Sequence, residues 1–285
     1  MIPENFWLSV SFSLCSDKPM YPPEKNWIVK LWLCWKYAGA ILLIWTIILP
    51  LIATFSCGLS KRAELPQFAS HTPIYREWPR LSVQELDSLR EIYGRNKLFL
   101  EEYIEPTLIA LSYYPELRDV PIEFKYSSEA TTMAARPISG FLLGKRKYGV
   151  LINGDKNFEG VLLQDTPFNA QIGIIGHELA HIADYNRKNI WGILGCLFRY
   201  LDQDRRPLFE KETDMATIER GLGWQLYDWT VYAMYHSPKA TERYKEFKQY
   251  TYMKPEEISY LIRHFSGYAS VKDSISTFSE AIGRQ

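Results

Sequence analysis

The sequence predicts an α+β domain with a small, mainly antiparallel sheet, preceded by one N-terminal membrane segment. The predicted elements run in the order helix, short strands and then helices, which is typical of the α+β class. The 285 residues are 47% hydrophobic and 15% aromatic, enough to build a substantial core. A run of twenty residues without a charge lies near the start of the chain.

The chain divides into four parts along its length. Residues 1–36 form an N-terminal segment that we expect to be disordered or an overextended start. The uncharged run follows at 37–56, and a polar linker at 57–80 is broken by three prolines. The remainder, 81–285, is the folded domain.

The uncharged run at 37–56 predicts a membrane tether. As a helix rising 1.5 Å per residue it spans roughly 30 Å, the thickness of the hydrocarbon core. It has no polar face, and membrane helices tolerate a proline such as Pro50. Alternatively, the run is the centre of a secretory signal, and Cys57 in TFSC is a lipid-attachment point. Both interpretations predict a membrane-anchored domain outside the cytoplasm, as a single-pass protein or a lipoprotein.

Charge and cysteine content exclude two classes of protein. Lys+Arg and Asp+Glu both number 33, which argues against a nucleic-acid partner bound through its phosphates. The four cysteines are scattered without a C-x-x-C pair, so neither a cysteine-rich metal site nor a disulfide scaffold is expected. They are Cys15, Cys34, Cys57 and Cys196.

The first elements of the domain follow from helix-start signals and periodicity. Ser82 and Glu85 form a capping box, and apolar residues then recur at helical spacing as far as Tyr103. Pro106 can open the next helix, which ends at Pro115. Three strand candidates follow, at 121–127, 131–137 and 148–153.

The second half of the domain is predicted to be helical. A helix is expected over 170–186, and a longer helical stretch over 207–236 is interrupted near Gly221 and Gly223. A short last helix starts at Pro255. These helices carry the chemistry that the sequence suggests.

The segment GIIGHELAHIADY contains an H-E-x-x-H pattern. His177 and His181 are four residues apart, so on a helix they lie on one face, about 6 Å apart, and can bind one Zn²⁺. Glu178 follows the first histidine and is placed to take a proton from a water at the metal. Without a partner, buried His and Glu side chains in this apolar helix would be costly.

A catalytic zinc needs a third protein ligand and one open position. The position six residues after the second histidine holds Arg187, and Asp184 stands where the third-histidine pattern has glycine, so that pattern fails. The downstream segment FEKETD offers carboxylates instead. Glu210 and Asp214 are one helix turn apart, whereas Glu212 lies about 200° around the helix from Glu210.

An E-x-x-x-D after H-E-x-x-H resembles the gluzincin pattern, and E-K-E-T-D most resembles the HtpX-like and CAAX-prenyl-protease family. The resemblance covers roughly residues 120–235, with Thr213 where the family has alanine and without its several membrane spans. It implies a zincin-like domain built around an active-site helix, with Glu210 as the third ligand. It further implies that Asp214 orients a ligand histidine.

The expected function is a membrane-tethered zinc metalloendopeptidase that acts on peptide or protein substrates. Glu178 is the expected general base. The candidates for stabilising the oxyanion are His236 and Tyr232, with Tyr227 and Arg220 further possibilities.

Two apolar segments have alternative interpretations. The strand at 148–153 is either an edge strand that binds an extended peptide or an ordinary sheet strand. The stretch 190–201 is too short to span a bilayer. It is expected to be a core helix, with a cleft wall or a bilayer contact as alternatives.

Two other functions compete with hydrolysis. The domain is alternatively a non-catalytic or degenerate zinc-binding module that acts in interactions at the membrane. A structural membrane protein without metal is the third hypothesis. The intact Glu178 favours the enzyme, because a binding module needs no base at that position.

Overall fold

The computed structural model describes residues 73–140 and 146–268. The predicted N-terminal segment, the membrane run and the linker up to residue 72 lie outside the described residues. Within the described ranges, no helix is both long and apolar enough to cross a membrane.

The last part of the predicted linker, 73–80, packs on the domain instead of standing apart from it. The backbone N–H of Trp78 donates to Asn169, and its indole Nε1–H donates to the hydroxyl of Tyr113. Arg76 forms an ion pair with Asp228 at 2.8 Å. The folded unit therefore begins before the first predicted helix.

The first two helices start near the predicted positions, but the helical pattern expected as far as Tyr103 was wrong. The first helix ends at Tyr93, because Gly94 caps it and Asn96 takes a positive φ of 59°, and Lys97–Leu98 form a short strand. Helix α1, Val83–Tyr93, starts at the capping box of Ser82 and Glu85. Helix α2, Ile104–Ser112, is almost entirely buried and forms the middle of the core.

The sheet has four strands in the order β1-β2-β4-β3. The β1–β2 and β2–β4 pairings are parallel, and only β3–β4 is antiparallel. A small sheet in a mixed helical and strand architecture is consistent with the α+β class, but the expectation that it is mainly antiparallel was wrong. The strands are β1 Lys97–Leu98, β2 Ile122–Ser127, β3 Met133–Ser139 and β4 Lys147–Asn153.

The connections explain the pairing directions. Helix α2 carries the chain from β1 to β2, and a crossover of this kind joins parallel strands. Strand β4 then returns between β2 and β3, where it is buried from its second residue onward. Strand alternation has a period of two for either direction, so the sequence pattern did not report the pairing.

Six α-helices follow the sheet within residues 146–268. The predicted helical stretch at 207–236 is broken at Gly221, whose φ of 102° suits glycine, as the sequence indicated. The helices are α3 Phe168–Arg187, α4 Ile190–Leu201, α5 Arg206–Thr217, α6 Gly223–Val231, α7 Glu242–Thr251 and α8 Pro255–His264.

Helix α3 is the central helix of the domain. Fourteen of its twenty residues are buried. It approaches α6 so closely that a Cβ on Gly173 would lie 2.1 Å from the carbonyl oxygen of Gln225. This close packing fixes the rotation of α3, and with it the direction of its polar side chains.

Candidate metal centre

Three polar side chains project from the middle of α3 into the protein interior. His177, Glu178 and His181 are all buried. The remaining residues of this helix turn are apolar or small and pack in the core. Because they are removed from bulk solvent, these polar groups depend on partners within the protein.

Helix α5 supplies those partners. It places Glu210 and Asp214 on its buried face, with exposures of 2% and 1%. Glu212, the competing carboxylate, points outward and pairs with Arg199 at 2.8 Å. The two glutamates therefore point to opposite sides of α5, as their spacing in the sequence predicts.

The two histidines and Glu210 converge on one point. His177 Nε2 lies 3.1 Å from His181 Nε2 and 3.1 Å from Glu210 Oε2. The distance from His181 Nε2 to the same oxygen is 3.2 Å. Ligand atoms held at about 2.0–2.1 Å by a tetrahedral metal are about 3.3 Å apart, so the spacing fits. This buried group can hold a metal ion.

The proton positions strengthen that conclusion. His177 Nδ1 lies 2.8 Å from Asp214 Oδ1, and a carboxylate only accepts, so Nδ1 carries the proton. A neutral imidazole in this orientation turns an Nε2 lone pair toward the carboxylate of Glu210. That arrangement is repulsive unless a proton on Nε2 or a metal cation lies between the two groups.

Asp214 is fixed on both oxygens. Its second oxygen, Oδ2, accepts from the backbone N–H of Met253 at 2.9 Å. An orienting carboxylate of this kind sets the tautomer and the ring direction of a metal-binding histidine. The geometry matches the role that the resemblance implies for Asp214.

Thr213 makes a matching contact with the second histidine. Its hydroxyl donates to the carbonyl of Phe209 at 3.1 Å, which leaves its oxygen to accept from His181 Nδ1 at 3.3 Å. His181 is then protonated on Nδ1 and presents Nε2 to the cluster. The residue that departs from the family pattern thus orients a ligand candidate.

The electrostatics of the cluster favour a positive charge at its centre. Burial opposes protonation of His177, but Asp214 and Glu210 outweigh it and raise the pKa of His177 to about 10. Burial likewise opposes ionisation of Glu210, yet the two histidines hold its pKa well below the usual range. A metal cation satisfies the same demand as the proton on His177.

A cavity of about 430 Å³ opens beside the cluster. Glu178, His181 and Glu210 line its inner end, so the predicted base and two predicted ligands share one space. Strand β3 forms one wall, from Met133 to Pro137, and helix α4 forms another. Most of the lining is apolar.

The structure does not support the predicted oxyanion residues. His236 and Tyr232 line a separate cavity around the start of α3. The hydroxyl of Tyr232 donates to the carbonyl of Asp165 at 2.5 Å. Arg220 is buried against Glu116 at 2.9 Å, and Tyr227 packs on Trp224. All four were expected from chain position alone, which does not report which face of α6 and its neighbours meets the metal centre.

Tyr252 is the tyrosine that the sequence analysis missed. It lies between α7 and α8, lines the cavity and packs edge-on against His177 with ring centroids 5.6 Å apart. Burial and the nearby carboxylate of Glu210 raise the pKa of Tyr252 well above its usual value, so the hydroxyl keeps its proton. No motif marks this residue in the sequence.

The edge strand beside the site is β3, not the strand at 148–153. That segment became β4, which has neighbours on both sides. Pro137 in β3 was the available signal, because proline within a sheet is confined to edges and bulges.

Helix α4 lines the cavity but is not a core helix. Only Ile193 and Cys196 among its twelve residues are buried. Ile193, Leu194 and Leu197 line the cavity, in agreement with the cleft-wall alternative. That this cavity binds a substrate stays a prediction.

Comparison with known proteins does not identify the chain. It matches no family model, no curated protein and no solved structure.

Proposed function

We propose that the protein is a zinc-dependent metalloendopeptidase tethered to a membrane through residues 37–56. The observation that carries the proposal is the cluster of His177, His181 and Glu210, which borders a cavity also lined by Glu178. The motif resemblance to gluzincins supports the same activity.

Zinc is the metal that best suits the donor set. Two imidazoles and one carboxylate are the protein ligands of several catalytic zinc sites, which keep a fourth position open. Bound zinc supplies Lewis acidity and makes water a nucleophile near neutral pH. The apolar walls of the cavity keep other water away from the reacting groups.

Glu178 is the proposed general base. It lies next to His177 in the chain and faces the same cavity as the two other ligands. In this role it accepts a proton from the attacking water and passes it to the leaving amine of the peptide. A non-catalytic zinc module has no use for a carboxylate at this position.

Tyr252 is the proposed donor to the oxyanion. Its hydroxyl stays protonated because of burial, and its ring position is fixed against His177. A preorganised donor of this kind is most valuable where charge develops in the transition state.

Strand β3 is the proposed substrate-binding edge. It borders the cavity from Met133 to Pro137, and among the described residues β4 is its only strand neighbour. An extended peptide can add to such an edge through main-chain hydrogen bonds. The mainly apolar cavity then favours apolar side chains near the cleaved bond.

The membrane tether and a position outside the cytoplasm remain part of the proposal. They rest on the sequence of residues 37–56 and on the lipid-attachment alternative at Cys57.

The test is hydrolysis of a quenched casein substrate by the purified chain, with and without a chelator. Chelation should abolish cleavage, and zinc should restore it. Glu178→Gln should lower kcat by about 10²- to 10⁴-fold with zinc content unchanged. Glu212→Gln, on the outer face of α5, is the matched control and should cleave normally. Zinc without any hydrolysis in the wild type would favour the binding module instead.

A further inference from the structure

Helix α4 carries an exposed apolar face on the outside of the cavity wall. Trp191, Phe198 and Leu201 are 75%, 67% and 61% exposed. Residues seven and ten positions apart in an α-helix fall within the same third of its circumference, so the three form one face. Leu208 at the start of α5 is 61% exposed as well.

This surface is unusual within the described domain. Six of the thirteen large hydrophobic side chains that are exposed lie between residues 191 and 208. Scattered exposed apolar residues need no explanation, but a concentration on one helix marks an interaction surface. Ile193 and Cys196, on the opposite side of α4, line the cavity, so the surface lies at the outside of the proposed active site.

We propose that the outer face of α4 inserts into the surface of a lipid bilayer, which places the cavity next to the membrane. The proposal rests on the tether suggested above and does not depend on hydrolysis.

The short segment between the uncharged run at 37–56 and the folded domain favours a bilayer as the partner of the exposed face of α4. Sixteen residues, 57–72, separate the uncharged run from the first described residue. Fully extended, they reach at most about 56 Å. A domain tethered this closely stays within reach of a bilayer, which makes lipid the surface that its exposed apolar face meets.

Charge and residue types agree with a lipid surface. Five basic residues and two acidic residues occur over 187–206, in a chain whose net charge is zero. Asp184, Glu212 and Asp202 neutralise part of this charge through ion pairs, and the side chain of Arg205, which pairs with Asp202, is still 71% exposed. A basic border around Trp, Phe and Leu is typical of helices that lie in the membrane interface.

The experiment measures membrane binding by the tether and membrane binding by the exposed face of α4 separately. The full chain is reconstituted into vesicles of phosphatidylcholine and phosphatidylglycerol, with a site-specific protease sequence placed between Ser60 and Pro66. Resistance to carbonate extraction before cutting tests the tether. After cutting, flotation shows whether the released domain stays on the vesicles.

The wild-type domain should float with the vesicles after the cut. Replacing Trp191, Phe198 and Leu201 together by Asp should lower the retained fraction about tenfold or more. The matched control replaces Val83, Tyr250 and Tyr260 by Asp and should float like the wild type. These residues are 70%, 64% and 59% exposed on other helices.

A readout on the unaltered protein covers the case in which the triple variant fails to fold. Hydroxyl-radical footprinting should show that vesicles protect Trp191 and Phe198 but not Tyr250 and Tyr260. Release of the wild-type domain from the vesicles would overturn the proposal, as would equal retention of the α4 variant. A surface reserved for a protein partner would give the first of these results. Neither result bears on whether Glu178 supports hydrolysis.

Discussion

Helices α3 and α4 are consecutive and both rich in apolar residues, yet α3 is buried in the core and α4 lies at the surface. Fourteen of the twenty residues of α3 are buried, compared with two of the twelve in α4. Helix α3 buries the polar side chains of Asn169, His177, Glu178 and His181, and the two histidines contact both each other and residues of α5. Helix α4 has no such groups and presents apolar side chains to the cavity on one side and to solvent on the other. Apolar composition alone therefore does not determine burial; the elements that pack around each helix do.

The largest change in activity is expected from a substitution in the cavity beside α3. Tyr252→Phe removes the proposed oxyanion donor and should lower kcat about 10²- to 10³-fold, with little change in metal content. Tyr250→Phe is the matched control, because Tyr250 is 64% exposed on α7. Steady-state kinetics with a peptide substrate measures both variants. Equal activity of the two variants would remove Tyr252 from the mechanism.

A smaller effect is expected where α5 supports α3. Asp214→Asn leaves one carbonyl oxygen to serve two donors, His177 Nδ1–H and the N–H of Met253. Metal affinity should fall about 10- to 100-fold, as for other residues that orient ligands. Competition with a chelator of known affinity measures the change. Wild-type affinity in this variant would mean that Asp214 has only a packing role.

Two glycines test the packing difference directly. Gly173→Ala in α3 drives a Cβ into the backbone of Gln225, 2.1 Å away, and should cost about 1–3 kcal/mol or more in the free energy of unfolding. Gly195→Ala in α4 meets nothing within 4 Å and should add about 0.5–1 kcal/mol, because alanine favours the helix. Chemical denaturation of both variants measures the two changes in the free energy of unfolding. The comparison fails if the two substitutions change stability in the same direction.

A different kind of effect concerns the pH dependence of the metal-free protein. The pKa of His177 is raised from 6.5 to about 10, so the folded state binds its proton more tightly than the unfolded state. The resulting stabilisation is fully present below pH 6.5 and is lost as the pH rises through about 10. The melting temperature of chelated protein should therefore fall across this window. Metal-loaded protein should show a weaker dependence, because the metal takes the place of the proton.

Short-range patterns predicted much of this molecule. The capping box at Ser82 and the positive φ at Gly221 are local features, and the structure has both. The spacing of the two histidines and of Glu210 from Asp214 reflects helix geometry, which the sequence reports directly. Whether these residues bind zinc and cleave peptides stays a prediction.

Long-range features escaped the sequence for physical reasons. Strand alternation is the same in parallel and antiparallel sheets, so the pairing of β2 with β4 was not visible. Tyr252 reaches His177 only through the packing of α7 and α8, and no spacing rule connects them. The exposure of α4 depends on what fails to cover it, which a local pattern does not encode.

The most direct test of the account is the metal content of the purified chain by mass spectrometry, beside two glutamate variants. The wild type and Glu212→Gln should each retain one zinc per chain, whereas Glu210→Gln, which removes the charged ligand from the cluster, should retain almost none. A wild-type chain without metal, even after incubation with zinc, would contradict the account. Equal metal in the wild type and Glu210→Gln would contradict it as well.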